Sequence, residues 1–177
     1  SGRGGNGGGA SATLFRFGTQ DYPANANQTA PEWTVFEGIT CLRFDGIGNY
    51  ILFPRETLPR RGPFTISFEI RPANVTKPQL LFAHRTTRVS SLTLHIKDGK
   101  LGGAYYGERH AATPLNSELG ISPNEWSRVA VSYDFQAIRI RVNDSEQAFP
   151  CHDPGLNIGP CVFGGHGSGH RHLLNKP

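Results

Sequence analysis

The stretch GPFTISFEIRP at positions 62–72 decides the fold. Phe64, Ile66, Phe68 and Ile70 alternate there with Thr65, Ser67, Glu69 and Arg71. A strand sends successive side chains to opposite faces, so the segment carries one apolar face and one polar face. That is the signature of a sheet packed on one side and wetted on the other. Glu69 sits in the middle of the wet side and admits three roles: catalytic acid, ligand contact or solvated side chain.

The same grammar runs outward in both directions. Alternation predicts strands at 35–44, 49–53, 64–71, 79–84, 91–97, 100–106, 127–133 and 137–142. KDGK (97–100) places Asp98-Gly99 between two of them, a hairpin signal. YDFQAI (133–138) reads as a second tight hairpin. Asp45-Gly46 turns the chain between two earlier strands. TLFRFGT (13–19) predicts a first edge strand, and QDYPANANQTAPEWT (20–34) is loop-like by its Pro, Asn and Thr content. No stretch shows helical periodicity and there is no internal repeat. The fold class is all-β, an antiparallel β-sandwich or barrel.

The chain's 177 residues suit one domain with a real core. The expected organisation is a flexible Gly-rich leader over 1–12, a domain over 13–165 and a flexible His-rich tail over 166–177 that leads to a further domain. The chain has 22 Gly, 13 Pro and no Met, from which a fragment of a multidomain protein is expected. No apolar run is long enough to span a bilayer, so no membrane insertion is expected. The net charge of +4 is scattered without a like-sign block, and no nucleic-acid motif occurs.

Cys151 and Cys161 bracket HDPGLNIGP, a loop able to close as a local disulfide in an oxidising compartment. Cys41 reads as a small buried hydrophobe, although pairing with either of the others stays open. Sequons at Asn27, Asn74 and Asn143 are candidate glycosylation sites. Cysteines and sequons together predict a secreted or cell-surface glycoprotein.

LRFDGIGNYILFP (42–54), FTISFEIRP (64–72), QLLFAHR (79–85), LTLHIKDGKL (92–101), NEWSRVAVSYD (124–134) and IRIRVND (138–144) come in an order that resembles a known family. It is the concanavalin A-like lectin/glucanase jelly roll, in its laminin-G-like branch, and the resemblance implies an antiparallel β-sandwich. GLNIG (155–159) looks like the short strand that follows in such domains. The resemblance makes Trp126 a large anchor buried between two sheets. The family's usual closing strand is absent, so either it lies beyond this stretch or TLFRF fills that edge, since a bare edge invites aggregation.

The resemblance also frames function. Glucanases of this superfamily carry E-x-D-x-x-E on one strand, and no acid stands at 71 or 74 after Glu69. A paired-carboxylate glycosidase is therefore not expected, and no catalytic residue is assigned. His95, Tyr105 or Tyr106, Arg71 and Gln79 are residue types a polysaccharide lyase uses, but they match no lyase motif. If the alternating strands share one sheet, its outer face gathers Glu69, Arg71, His95, Lys97, Arg139 and Arg141, with Tyr105 or Tyr106 as a stacking ring. That set suits an acidic glycan, and ion pairs on a solvated sheet are the plain alternative. The expected function is non-catalytic recognition of carbohydrate, with a protein-interaction module or an accessory packing domain as rivals. The partner is accordingly a glycan or an extracellular protein.

No cofactor is required, and the resemblance allows Ca²⁺ at loop acids such as Asp45, Asp134 and Asp144. His166, His170 and His172 are candidate Zn²⁺ or Cu²⁺ ligands, but their glycine neighbours favour a flexible loop over a built site.

Overall fold

The computed structural model describes residues 13–16, 31–45, 49–53, 62–85, 90–107, 112–151 and 161–163. Among these the regular elements are all strands. They are β1 (Thr13–Arg16), β2 (Glu32–Phe36), β3 (Ile39–Phe44), β4 (Ile51–Phe53), β5 (Phe64–Arg71), β6 (Gln79–Arg85) and β7 (Ser90–Lys97). After them come β8 (Lys100–Tyr106), β9 (Ala112–Leu115), β10 (Ser127–Tyr133), β11 (Ala137–Val142), β12 (Ser145–Pro150) and β13 (Cys161–Phe163). No helix of the described residues is long and apolar enough to cross a membrane.

The strands form a seven-stranded sheet, β12-β11-β10-β5-β1-β3-β2, and a six-stranded sheet, β4-β13-β6-β7-β8-β9. Between the sheets lies one apolar cluster. Phe64, Ile66, Phe68 and Ile70 enter it from β5, Val129 and Val131 from β10, and Leu92, Leu94 and Ile96 from β7. Burying a side chain of this size contributes about 1.5–3 kcal/mol. At one end Tyr105 of β8 stacks on Tyr133 of β10 across the interior, with ring centroids 5.6 Å apart. The two-period alternation in sequence thus becomes the inside and outside of a sandwich.

The turns follow residue chemistry. Asp98 (φ 51°) and Gly99 (φ 72°) are both left-handed, as a tight hairpin with the twist of its strands requires. The expected single strand over 35–44 is broken by a similar turn at Glu37 (φ 50°) and Gly38 (φ 78°), which makes β2 and β3 a hairpin. Asp45 and Asn49 clamp their loop reciprocally, each backbone N–H donating to the other's side-chain oxygen at 2.8 and 3.1 Å.

Several expectations are corrected. Residues 13–16 are no edge strand: β1 pairs with β3 on one side and β5 on the other. Strands β9 and β12 had no clear alternation, because Pro114, Pro150 and the polar SEQ run hide it. GLNIG falls outside the described residues, and the short strand after it is Cys161–Phe163. Trp126 is only partly buried, with its indole N–H enclosed and no protein acceptor. Cys41 and Cys151 are buried free thiols. The expected Cys151–Cys161 bridge is therefore not made: Cys151 follows edge strand β12 of one sheet, whereas Cys161 opens β13 inside the other.

Candidate functional site

Residues directly opposed in an antiparallel pair share a face. Register therefore arranges the outer face of the seven-stranded sheet in rows. Thr65, Ser132, Arg139 and Ala148 form one row across β5, β10, β11 and β12. Ser67, Ala130, Arg141 and Glu146 form the next, and Glu69 stands opposite Arg128 beyond it. The middle positions are small, so the face has a low floor between charged flanks.

Each flank is tied by ion pairs. Glu146 lies 2.8 Å from Arg141 and 3.8 Å from Arg139, and Arg139 is also paired with Asp134. Arg128 approaches Glu69 at 3.9 Å. Arg71 lies 4.3 Å over the ring of Phe36 from β2. Exposed pairs of this kind contribute about 0.2–1 kcal/mol each. Their larger effect here is to neutralise the arginines.

Where β5 begins and β10 ends, an open recess of about 530 Å³ is lined by Pro63, Phe64, Thr65, Ser132, Tyr133, Asp134 and Arg139. Two hydroxyls, a carboxylate and a guanidinium thus border an open surface beside Phe64 and Tyr133, which are themselves buried in the core. Asp134 is set firmly: its Oδ1 accepts the backbone N–H of Ala137 at 3.0 Å and of Gln136 at 3.1 Å, and its Oδ2 accepts from Arg139 Nη1. The Ala137 bond first, then Arg139 and Gln136, hold this carboxyl below the usual carboxylate range. The connection is braced from outside by the Cys151 N–H, which donates to the Gln136 carbonyl at 2.8 Å.

Between Asp134 and Gln136 stands Phe135, at φ 72° and 47% exposed. The left-handed region costs a residue with a Cβ about 1–2 kcal/mol. The other non-glycine left-handed positions among the described residues are Glu37, Asp98, Asn124 and Asn143; three of these carry the Asp or Asn side chains that tolerate it best, whereas a bulky ring does not. The ring is 5.6 Å from that of Tyr133, which lines the recess. Sequence reasoning missed Phe135. The available signal was an aromatic in a hairpin connection where Gly or Asn is ordinary.

The remaining candidates do not join this face. Glu69, Arg71, Arg139 and Arg141 share the seven-stranded sheet, but His95, Lys97 and Tyr105 belong to the other one. Tyr105 is fully buried in the core, so its ring is not a surface platform, and its neighbour Tyr106 alternates to the outside. His95 is half-buried against Gly102, and burial, followed by the charge of Lys97, pushes its pKa down.

Among the described residues no three His, Cys, Asp or Glu side chains gather as a metal site. Asp134 and Asp144 flank opposite ends of β11, and Asp45 follows β3, so these acids do not assemble for Ca²⁺. His166, His170, His172 and Asn27 lie outside the described residues. Asn74 and Asn143 are exposed, each with its side-chain oxygen accepting backbone N–H groups, from Thr76 and Arg128 respectively.

This two-sheet topology was compared with known proteins. The laminin-G type 3 model of the concanavalin A-like lectin/glucanases superfamily matches residues 45–165. The chain belongs to this superfamily. No curated protein matches by sequence. Three solved structures share the laminin-G-like fold at low identity. Domain 4 of AbnA, a GH43 extracellular arabinanase from Geobacillus stearothermophilus in complex with arabinotriose, has a TM-score of 0.61 at 13% identity, covering 80% of this chain and 69% of that one. The binding domain of botulinum neurotoxin serotype G has a TM-score of 0.56 at 12% identity, covering 89% and 39%. Domains LG4-5 of the mouse laminin alpha1 chain have a TM-score of 0.54 at 17% identity, covering 81% and 38%. The chain thus spans about two fifths of the laminin and neurotoxin structures. At these identities the likeness is one of fold.

Proposed function

We propose that this laminin-G-like domain is a non-catalytic recognition module that binds carbohydrate, working outside the cell as part of a larger protein. The observation that carries this reading is the open recess, where Thr65, Ser132, Asp134 and Arg139 place hydroxyl-matching donors and acceptors side by side. Concave sites with a few convergent polar groups and an apolar wall are the usual form of small-ligand sites. The AbnA domain with its arabinotriose and the neurotoxin binding domain are consistent company on this fold.

The carboxylates support the non-catalytic reading. Glycoside cleavage needs one carboxyl kept protonated as an acid opposite a second that acts as base or nucleophile. Asp134 is shifted the other way, toward ionisation, and Asp134 and Glu146 share Arg139. A glycan array that includes heparin and uronate polymers, read at low and high salt, tests the proposal. Binding to a defined glycan is expected; a blank array overturns it.

Protein recognition is the second reading, favoured by edge strand β2. There Trp33 is 40% and Val35 68% exposed, side by side on one face. Recognition of that kind would leave the array blank and be abolished by Trp33→Ala with Val35→Ser.

A further inference from the structure

The charge balance and one strained residue narrow the ligand class, on the premise that the recess binds carbohydrate. Arg139 and Arg141 face Asp134 and Glu146, two positive groups against two negative ones. A uronate or sulfate arriving here would have to displace a carboxylate already in place. A neutral sugar displaces nothing and finds paired acceptors and donors for adjacent hydroxyls. Asp134 Oδ1 accepts from two backbone N–H groups, whereas among the described residues Oδ2 accepts from Arg139, so the carboxylate retains acceptor capacity. Arg139 has five N–H donors, and its contact to Glu146 is a long 3.8 Å.

Phe135 supplies the second observation. An aromatic ring is held, half-exposed, in a backbone conformation that disfavours it, next in the chain to Asp134 of the recess and against the ring of Tyr133. Strain persists only where surroundings impose it, and it concentrates at functional positions. The Asp134 and Cys151 hydrogen bonds are those surroundings.

We infer that Phe135 is the stacking platform for one ring of a neutral saccharide, whose adjacent hydroxyls bond to Asp134, Arg139, Thr65 and Ser132. A sugar ring has an apolar C–H face that lies flat on an aromatic ring, while its equatorial hydroxyls point sideways toward polar groups. The ring face of Phe135 and the polar lining of the recess match those two requirements.

Calorimetric titration of the whole chain tests this, with neutral trisaccharides from glucan, xylan, arabinan and galactan as probes, and with trigalacturonate and a heparin hexasaccharide for contrast. A neutral trisaccharide should bind with an affinity indifferent to salt. Phe135→Asn keeps the left-handed turn without the ring, so the melting temperature should hold or rise while binding falls about tenfold, the size of a lost aromatic contact. Thr65→Val, which leaves the turn untouched, should weaken binding several-fold, and keeps the test decisive if the Phe135 variant misfolds. Neutral binding unchanged in both variants overturns the site and leaves the carbohydrate reading intact. Salt-sensitive binding of the acidic probes alone overturns the neutral class, again without touching that reading. No binding of any saccharide removes both.

Discussion

The two outer faces of the sandwich are built from the same alternation and end differently. On the six-stranded sheet the His95 imidazole settles over Gly102, where a Cβ would come within 3.4 Å of Nε2, so the side chain fills the hollow that glycine leaves. On the seven-stranded sheet Ala130, Ser132 and Ser67 leave the floor low, and the arginines turn sideways to their carboxylate partners. Over Gly102 the sheet is covered by its own residue, whereas the row through Thr65 and Ser132 is left open. Polar alternation alone therefore does not make a binding face. What matters is whether the side chains there are bulky enough, and unpaired enough, to close it.

The strongest perturbation separates interior from face. Tyr105→Ala should cost about 4 kcal/mol of stability in urea unfolding, because the residue is sealed against Tyr133. A loss under about 1 kcal/mol, ordinary for a surface site, would return Tyr105 to the list of ligand contacts. Gly103→Ala comes next. Its Cβ would stand 1.9 Å from the Thr93 carbonyl oxygen, so the β7–β8 pairing must shift. A loss of about 3 kcal/mol is expected, and a neutral result would mean that the two strands yield easily.

A smaller effect would make the open face resemble the acid-binding face expected from sequence. Glu146→Gln releases Arg141 and leaves Arg139 to Asp134 alone, at a stability cost under about 1 kcal/mol. The variant should elute from a heparin column at higher salt than the wild type. Equal elution would show that the pairing does not silence these arginines.

The smallest effect belongs to His95, whose folded-state pKa lies below its ordinary value of 6.5. The fold favours the neutral imidazole, so this contribution is whole above pH about 6.5. It is lost as pH falls below that value, where the unfolded chain takes up the proton more readily. His95→Gln should flatten the decline of the urea midpoint between pH about 7 and 5 relative to wild type, over the range where an ordinary His titrates. An identical slope in both proteins would assign the decline to other groups.

Most of the sandwich was legible because its strands state a two-residue period. The burial of Phe64 through Ile70, Val129 through Tyr133 and Leu92 through Ile96 follows that period position by position. Sheet membership was not legible. Period two tells which side chains share a face within a strand, but not which strands are neighbours. Glu69 and His95 could therefore be placed on one patch although they lie on opposite faces of the molecule. Tyr105 and Tyr106 illustrate the same limit: GGAYY carries no polar partner to set the phase, and the register to Leu92 decides it. Phe135 was missed for another reason: an aromatic in a hairpin connection is a faint signal, and the backbone angle that gives it weight is not written in the sequence. Glu69, where the question began, sits half-buried beside Arg128, remote in register from the Thr65–Ser132 row that opens into the recess.

The most direct measurement is a backbone-amide NMR titration of the wild-type chain with the neutral trisaccharide that binds best. Recognition at the recess predicts that the signals of Thr65, Ser132 and Asp134 through Ala137 move first and saturate together, while those of His95 to Lys97 stay still. Shifts confined to β7 and β8, or to Trp33 and Val35 on β2, would contradict it and place recognition on a different face of the sandwich.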